Sequence, residues 1–241
     1  MLGIEIMLRK WEDLPKIMQT EEVRPYYEYL NKKRGSLMAK RAFDVFVSVV
    51  LLIILSPVLL LLSIMIVADS QGGVFYRQER VTQYGRIFRI FKFRTMVANA
   101  DRIGTQVTVQ NDSRITKIGE KLRKYRLDEL PQLINILLGD MTLVGTRPES
   151  THYVKFYTPE MYATLLLPAG VTSEASIKYK DEAELLRNVE NVDKAYIERV
   201  LPEKMKYNLE SIKTFNVLMD IGTMFRTIYA VLKKDKLRGN K

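Results

Sequence analysis

The chain has 241 residues, enough for one domain or for one domain with an appendage. With 38 Lys and Arg against 28 Asp and Glu, its formal net charge of +10 calls for an anionic partner: nucleic acid, anionic lipid or a phosphorylated substrate. The absence of cysteine excludes disulfides, thiolate nucleophiles and thiolate-bound zinc, and the single histidine, His152, excludes a multi-histidine metal centre. Any metal is then a hard, oxygen-liganded cation. His152 reads as a solvated surface residue, with general-base chemistry left open.

In chain order, three parts are expected. Residues 1–36 form a polar extension with Trp11, Pro15, Pro25 and the aromatic run Tyr26, Tyr27 and Tyr29, a composition suited to a membrane interface. Residues 37–69 hold an uncharged stretch, Val45–Ala68, which as a helix spans roughly 36 Å against a hydrocarbon core of about 30 Å. Asp44 sits in the first turn of that apolar run, where an anion suits the helix dipole. Ser56-Pro57 interrupts the stretch at mid-length, because proline removes a backbone hydrogen bond and clashes with the preceding turn. Basic residues lie on both sides: Lys32, Lys33, Arg34, Lys40 and Arg41 ahead, and Arg77, Arg80, Arg86, Arg89, Lys92 and Arg94 behind. A spanning helix concentrates such charge on one side. The favoured reading is therefore a re-entrant helix broken at Ser56-Pro57, with both ends on the cytoplasmic face. The alternatives are a kinked spanning helix, a buried core helix and an uncleaved signal anchor.

Residues 70–241 read as the catalytic part, lying at the cytoplasmic face. Val74–Tyr76 and the alternating run Ile87–Arg94 predict a short β-hairpin joined through Gln83-Tyr84-Gly85. In the second strand Phe91 and Phe93 share one face, and Lys92 and Arg94 the other. Residues 97–115 read as a loop, Ile118–Tyr125 as a basic amphipathic helix and Leu130–Leu138 as a helix ended by Gly139. A helical pattern covers residues 183–201, and one long helix is expected over Lys204–Lys233, followed by a basic, frayed tail. The fold class is α+β, mostly helical, with interfacial amphipathic helices. The charge beside the apolar stretch suits phospholipid headgroups. With no zinc-finger spacing and no aromatic-glycine RNA motif, nucleic acid is disfavoured as a partner.

Glycine-rich phosphate cradles and a GxSxG serine are missing from the sequence. What stands out is Leu127-Asp128-Glu129-Leu130-Pro131-Gln132-Leu133. Pro131 suits only the first turn of a helix, so Asp128 and Glu129 fall at that helix's start, where free N–H groups attract phosphate. The simpler reading makes Asp128 an N-cap. Arg123, Lys124 and Arg126 ahead of the pair, and Gly145-Thr146-Arg147-Pro148-Glu149 behind it, favour chemistry instead. Carboxylates beside arginines, without His or Cys, are suited to Mg²⁺-assisted phosphoryl transfer.

These residues resemble the monotopic phosphoglycosyl transferases, the short bacterial sugar transferases that act on polyprenyl phosphate. The similarity runs from about Lys40 to Lys233. It rests on Lys40-Arg41-Ala42-Phe43-Asp44, Ser56-Pro57, Phe91-Lys92-Phe93-Arg94-Thr95-Met96, Asp112-Ser113-Arg114-Ile115-Thr116, the Asp128-Glu129 stretch and Gly139–Pro148, in that order. The resemblance implies a re-entrant helix at the bacterial inner membrane and transfer of a sugar-1-phosphate from a UDP-sugar to undecaprenyl phosphate, with release of UMP. It also implies that Asp128 is the nucleophile of a ping-pong reaction and that Glu129 helps hold Mg²⁺. By position Lys92, Arg94, Arg123 and Arg147 are expected to contact phosphate, with Pro148 and Glu149 near the nucleotide sugar. Each has a simpler reading: Lys92 and Arg94 as a solvated strand face, Arg123 as a helix-surface charge, Arg147 as a counter-ion to Glu149.

Two stretches depart from the family pattern. Gly-Pro-Arg-Pro is Gly145-Thr146-Arg147-Pro148 here, and Arg-Pro-Gly-Ile-Thr-Gly is Leu167-Pro168-Ala169-Gly170-Val171-Thr172-Ser173. Both bear on the sugar-nucleotide pocket and leave the nucleophile untouched. Two rival functions remain at this level: direct transfer through a ternary complex with Asp128 as a metal ligand, and a basic, lipid-binding scaffold without catalysis. A homodimer is left open.

Overall fold

The protein is described by a computed structural model over residues 8–100, 112–179, 189 and 191–238. The extension does not stand apart from the rest. Two 3₁₀ turns, Trp11–Asp13 and Lys16–Met18, lead into helix α1 (Arg24–Asn31). Leu14, Met18, Val23, Tyr26, Tyr27 and Leu30 are buried in one core with Tyr196, Leu201, Met205 and Ile212. Tyr26 and Tyr27 are thus core residues, where a membrane-interface position was expected. Their rings find apolar partners later in the chain, such as Leu201 and Met205, and the Tyr27 hydroxyl donates to the Arg9 carbonyl at 2.9 Å.

The apolar stretch lies within one helix, α2 (Arg34–Asp69), which stays helical through Pro57 where a break was expected. Pro57 has no N–H to give the Ile53 carbonyl four residues back. The Ser56 hydroxyl donates to that carbonyl instead, at 2.8 Å. One side of α2 packs on the protein: Phe43, Val47, Leu51 and Leu52 on one cluster, Leu59, Leu62 and Ile66 on another. The other side is bare, with Phe46 and Ile53 each 67% exposed and Leu60 64% exposed. Contiguous apolar surface of this kind marks a site of membrane or protein contact.

Both ends of α2 are tied to the same body. Near its start the Arg41 guanidinium donates to the Ile136 carbonyl at 2.7 Å, and Lys40 pairs with Asp220 at 2.6 Å. Thr142 donates its hydroxyl to Asp44, also buried there. At its end Asp69 accepts from the Ile118 amide at 2.9 Å, and Arg94 donates to the Ser70 and Gln71 carbonyls at 2.7 and 2.5 Å.

Strands β1 (Phe75–Val81) and β2 (Ile87–Phe93) form the expected antiparallel hairpin, with Tyr76 opposite Lys92 and Arg80 opposite Phe88. Its connection, Gln83–Gly85, places both Tyr84 and Gly85 at positive φ. On one face the Phe75 ring meets Phe91 edge-on at 5.6 Å and stacks on Phe93 at 5.8 Å. On the other, Phe88 and Ile90 enter the core and Lys92 faces the site.

Helices α3 (Lys117–Lys124) and α4 (Gln132–Leu138) follow. Then comes a pairing that the sequence reading did not anticipate: β3 (Met141–Val144) runs parallel to β4 (Ala169–Thr172). Short helices α5 (Thr151–Val154), α6 (Glu174–Lys178) and α7 (Val192–Ala195) lead to a π-helical turn, Tyr196–Val200. The helical pattern expected over 183–201 is present from Val192 on; residues 180–188 and 190 lie outside the described residues, as do 101–111 of the expected loop.

Where one long helix was expected after Lys204 there are two, α8 (Leu201–Lys213) and α9 (Val217–Arg238). The break has local causes. Phe215 turns into the core, its carbonyl accepts from Lys33 at 2.9 Å, and the Asn216 side chain accepts from the Leu218 amide at 2.9 Å, opening the second helix. The architecture is α+β and mostly helical, with two two-stranded sheets among the described residues.

Candidate active site

The catalytic candidates lie in a 3₁₀ turn, Leu127–Glu129, between α3 and α4. Arg126, left-handed at φ 56°, ends the preceding helix, and Pro131 stands directly ahead of α4. Asp128 and Glu129 therefore sit one turn before the helix, not in its first turn. Four amides nearby are already engaged: Glu129 N–H donates to Arg126, Leu130 to Leu127, Leu133 to Leu130 and Ile134 to Pro131. The strongest attraction for an anion at this place comes from the cationic side chains around the turn.

The turn is held from three directions. Buried Asn135 on α4 accepts from the Phe91 amide at 2.7 Å and donates to the Arg89 carbonyl at 3.1 Å, completing the edge of β2 as a strand would. Arg41 of α2 reaches the carbonyl of the next residue, Ile136. On the other side α3 lies against the strand end: a Cβ added at Gly119 would stand 2.1 Å from the Thr95 carbonyl oxygen, so only glycine fits. From this helix Arg123 Nε donates to Thr95 Oγ1 at 2.8 Å.

The two carboxylates differ sharply. Glu129 accepts from Lys92 at 3.2 Å and from both terminal nitrogens of Arg147, and Arg126 lies 3.9 Å away. Burial works against its charge, but Arg147 and Lys92 outweigh this and hold its carboxyl well below the usual range. Asp128 is pushed the other way, first by burial and then by the charge of Glu129 beside it. Its Oδ1 is buried and has no hydrogen-bond partner. Such an atom normally costs about 1–3 kcal/mol, more for a charged group. The cations respond in kind: burial lowers the Lys92 and Arg123 values, whereas the adjacent Glu129 raises that of Arg147.

Lys92, Arg123 and Arg147 thus surround the pair, from β2, α3 and the segment after β3. Arg147 bonds Glu129, not Glu149 as the simpler reading had it. Arg94, expected beside Lys92, points elsewhere: β2 ends at Phe93, and the Arg94 guanidinium caps the carbonyls at the end of α2. Glu149 is 7% exposed and is held by Tyr196 and Lys204; Pro148 beside it is also buried. Ser56 and Pro57 lie in the middle of α2. His152 is half exposed, 3.8 Å from Asp193, at the surface. Two further cations were not among the expected phosphate contacts. Arg126, named only as a basic neighbour of the pair, lies 3.9 Å from Glu129. Arg80 occupies the inner face of β1, where its charge acts on Lys92, Arg147 and Glu149; alternation from Lys92 across the hairpin could have found it.

The description of bacterial sugar transferases matches residues 35–234, most of the chain. The chain belongs to that family. It is 32% identical over 91% of its length to a UDP-N-acetylgalactosamine-undecaprenyl-phosphate N-acetylgalactosaminephosphotransferase of Aeromonas hydrophila, covering 51% of that protein. It is 34% identical over 80% of its length to the UDP-glucose:undecaprenyl-phosphate glucose-1-phosphate transferase of Escherichia coli K12, covering 40% of it. The chain thus spans about half or less of these relatives. It is also 33% identical, over 83% of its length, to the exopolysaccharide production protein PSS of Rhizobium leguminosarum bv. phaseoli and covers 98% of that protein. The motif resemblance to the phosphoglycosyl transferases stands on these matches as well as on the residues.

In this member of the sugar transferase family the two departing stretches are one place. Gly145 N–H donates to the Thr172 carbonyl at 2.9 Å, and Gly170 N–H to the Thr146 carbonyl at 2.8 Å. A Cβ at Gly170 would lie 2.1 Å from the Gly145 carbonyl oxygen, so the two backbones touch. Ser173, where the family pattern has glycine, accepts from the Ser176 amide and caps α6. The two stretches are thus in backbone contact next to the segment that carries Arg147.

Proposed function

We propose that the chain transfers a sugar-1-phosphate from a UDP-sugar to undecaprenyl phosphate with release of UMP, through a covalent phosphosugar on Asp128. The observation that carries this reading is the buried, unpartnered Asp128 Oδ1 beside Glu129, within a ring formed by Lys92, Arg123, Arg126 and Arg147. The relatives' names point to the same class of donor and acceptor.

An ionised carboxylate attacks without a general base. Asp128 Oδ1 forms a bond to the phosphorus that carries the sugar, and the bond from that phosphorus to the bridging oxygen breaks. UMP leaves with the oxygen and its electron pair. A phosphate oxygen of the lipid then attacks the same phosphorus and returns Asp128 as a carboxylate. No proton is moved in either step. The cations offset the charge that gathers on the phosphoryl oxygens, in a site where burial strengthens each interaction.

The donor set supports a magnesium ion. Both carboxylates are hard oxygen donors, and Oδ1 of Asp128 lacks a partner. No cluster of three or more candidate ligands occurs among the described residues. Magnesium commonly binds through one or two carboxylates together with substrate phosphates. Asp128 and Glu129 would hold it, and when bound it would neutralise the diphosphate and polarise its oxygens. Because cations outnumber carboxylates here, the metal is expected to arrive with the nucleotide.

For topology we propose re-entry at the cytoplasmic face of the inner membrane. Its support is that both ends of α2 are bonded to one polar body, Arg41 to α4 and Asp69 to α3, while the face between them is apolar and bare. Single cysteines at Ser36 and Gln71 test this: labelling from the same side agrees with re-entry, and labelling from opposite sides overturns it.

The reaction is tested by incubating detergent-purified protein with a panel of UDP-sugars, Mg²⁺ and undecaprenyl phosphate while UMP is measured. Release that depends on the lipid phosphate and vanishes in Asp128→Asn supports the transferase and names its donor. A folded protein silent across a broad panel favours the scaffold.

A further inference from the structure

Arg147 lies in a segment without regular structure, between two anchors. Ahead of it, Gly145 and Thr146 are hydrogen-bonded to β4. Behind it, Glu149 is fixed by its backbone, whose carbonyl accepts from Val81 N–H at 2.9 Å, and by its side chain. Glu149 Oε1 accepts from the Tyr196 hydroxyl at 2.7 Å and from Lys204 Nζ at 3.3 Å, and Lys204 also donates to the Tyr196 oxygen at 2.8 Å. All three residues are buried: Glu149 7%, Tyr196 4% and Lys204 6% exposed. Burying a charged triad is costly unless its members are paired and hydrogen-bonded. Its placement, two residues from the arginine that grips Glu129, gives that cost a use.

The local fold is shaped to make the triad. Helices turn about 100° per residue, so positions eight apart on a regular helix diverge by about 80°. Tyr196 and Lys204 are such a pair, yet their side chains meet. The π-helical turn Tyr196–Val200 lies between them and bulges one residue out. The pair then behaves as if seven apart, within about 20° of alignment. Tyr196 is further seated by the Tyr153 ring, 4.4 Å away.

We infer that Tyr196 and Lys204 are positioning residues of the transfer reaction, which act through Glu149 to aim Arg147 at Glu129 and the donor diphosphate. The inference rests on the proposed reaction for its catalytic meaning. Glu149, on this account, touches no substrate.

Tyr196→Phe is the primary variant, since it keeps the ring packing and removes only the hydroxyl. Its KM for the UDP-sugar is expected to rise about tenfold, the scale of one lost hydrogen bond to a charged group, with a modest fall in melting temperature that leaves the protein folded at the assay temperature. In an Arg147→Ala background the same substitution is expected to cause no further loss. Lys204→Met is expected to be more damaging, and Lys204→Arg, which keeps the charge, to recover most of the activity. Hydrogen exchange of amides 145–150 reads the positioning without catalysis and should quicken in Tyr196→Phe. Unchanged exchange there, or losses that multiply in the Arg147→Ala background, would overturn the inference. If the wild type turns over no donor while exchange in Tyr196→Phe quickens as described, the reaction fails and the positioning stands.

Discussion

The ion cluster at the root of α2 and the cluster at the catalytic turn are built from the same kinds of side chain with opposite balance. At the root, Lys40 lies 2.6 Å from Asp220 and 3.8 Å from Asp44, while Asp44 also takes the Thr142 hydroxyl and the Leu143 amide. One lysine serves two aspartates. At the turn, Lys92, Arg123, Arg126 and Arg147 face two carboxylates, and one oxygen of Asp128 has no partner. The root joins α2 to β3 and α9 through ion pairs and hydrogen bonds within the fold, with acid in excess and Asp220 Oδ2 ion-paired but not hydrogen-bonded. The turn keeps a surplus of positive charge and an unpartnered carboxylate oxygen, an arrangement suited to an anion. Burial alone therefore does not set the two apart; the sign of the surplus does, acid at the root and cations at the turn.

Substitutions at the turn are expected to cut rate, and those at the root to cut stability. The largest effect is predicted for Asp128→Asn, with UMP release down by about 10⁴-fold or more. Its melting temperature should be unchanged or higher. Burial and Glu129 raise the Asp128 pKa on folding, so ionised Asp128 weakens the fold at neutral pH, and removing the charge relieves this. Next, Arg147→Ala should lose about 10²–10³-fold in kcat/KM, the scale of a lost oxyanion donor, in the same UMP assay. Lys40→Met leaves two buried aspartates without their lysine and should cost about 3–5 kcal/mol in denaturant unfolding. KM of the folded fraction should hardly change. A Lys40→Met protein with normal stability and a raised KM would erase the distinction.

The smallest effect concerns pH. Asp128 must be ionised to attack, and its pKa is raised above 3.8, so activity should fall as pH drops through that raised value. The acid limb of kcat/KM should thus have its midpoint above that of an ordinary aspartate. Glu129, held low by Arg147 and Lys92, stays ionised throughout that window.

Legibility in the sequence followed how local each cause was. The hairpin was readable from alternation, and the Asp128-Glu129 turn from Pro131 and its basic neighbours. Lys92, Arg123 and Arg147 could be named because residue type and motif order sufficed. Arg94 misled because a basic residue two past Lys92 reads as a second phosphate contact, whereas its guanidinium is taken up by the carbonyls ending α2. The parallel pair β3–β4 was hidden by its length, four residues each, with Gly170 in one strand. Burial of Tyr26 and Tyr27 depends on surfaces more than a hundred residues away, such as Leu201 and Met205. Helix α2 carries on through Pro57, where the Ser56 hydroxyl takes the Ile53 carbonyl that proline leaves without a donor, a pairing no periodicity predicts. The link between Tyr196 and Lys204 needed a π turn that no periodicity announces.

The central claim is that Asp128 carries the sugar phosphate between donor and acceptor. The most direct measurement is peptide mass spectrometry of protein incubated with its UDP-sugar and Mg²⁺ in the absence of undecaprenyl phosphate. The account predicts a sugar-phosphate adduct on the peptide containing Asp128, formed with stoichiometric UMP and lost on addition of the lipid. UMP release that requires both substrates together, with no adduct on Asp128, would contradict it and point to direct transfer.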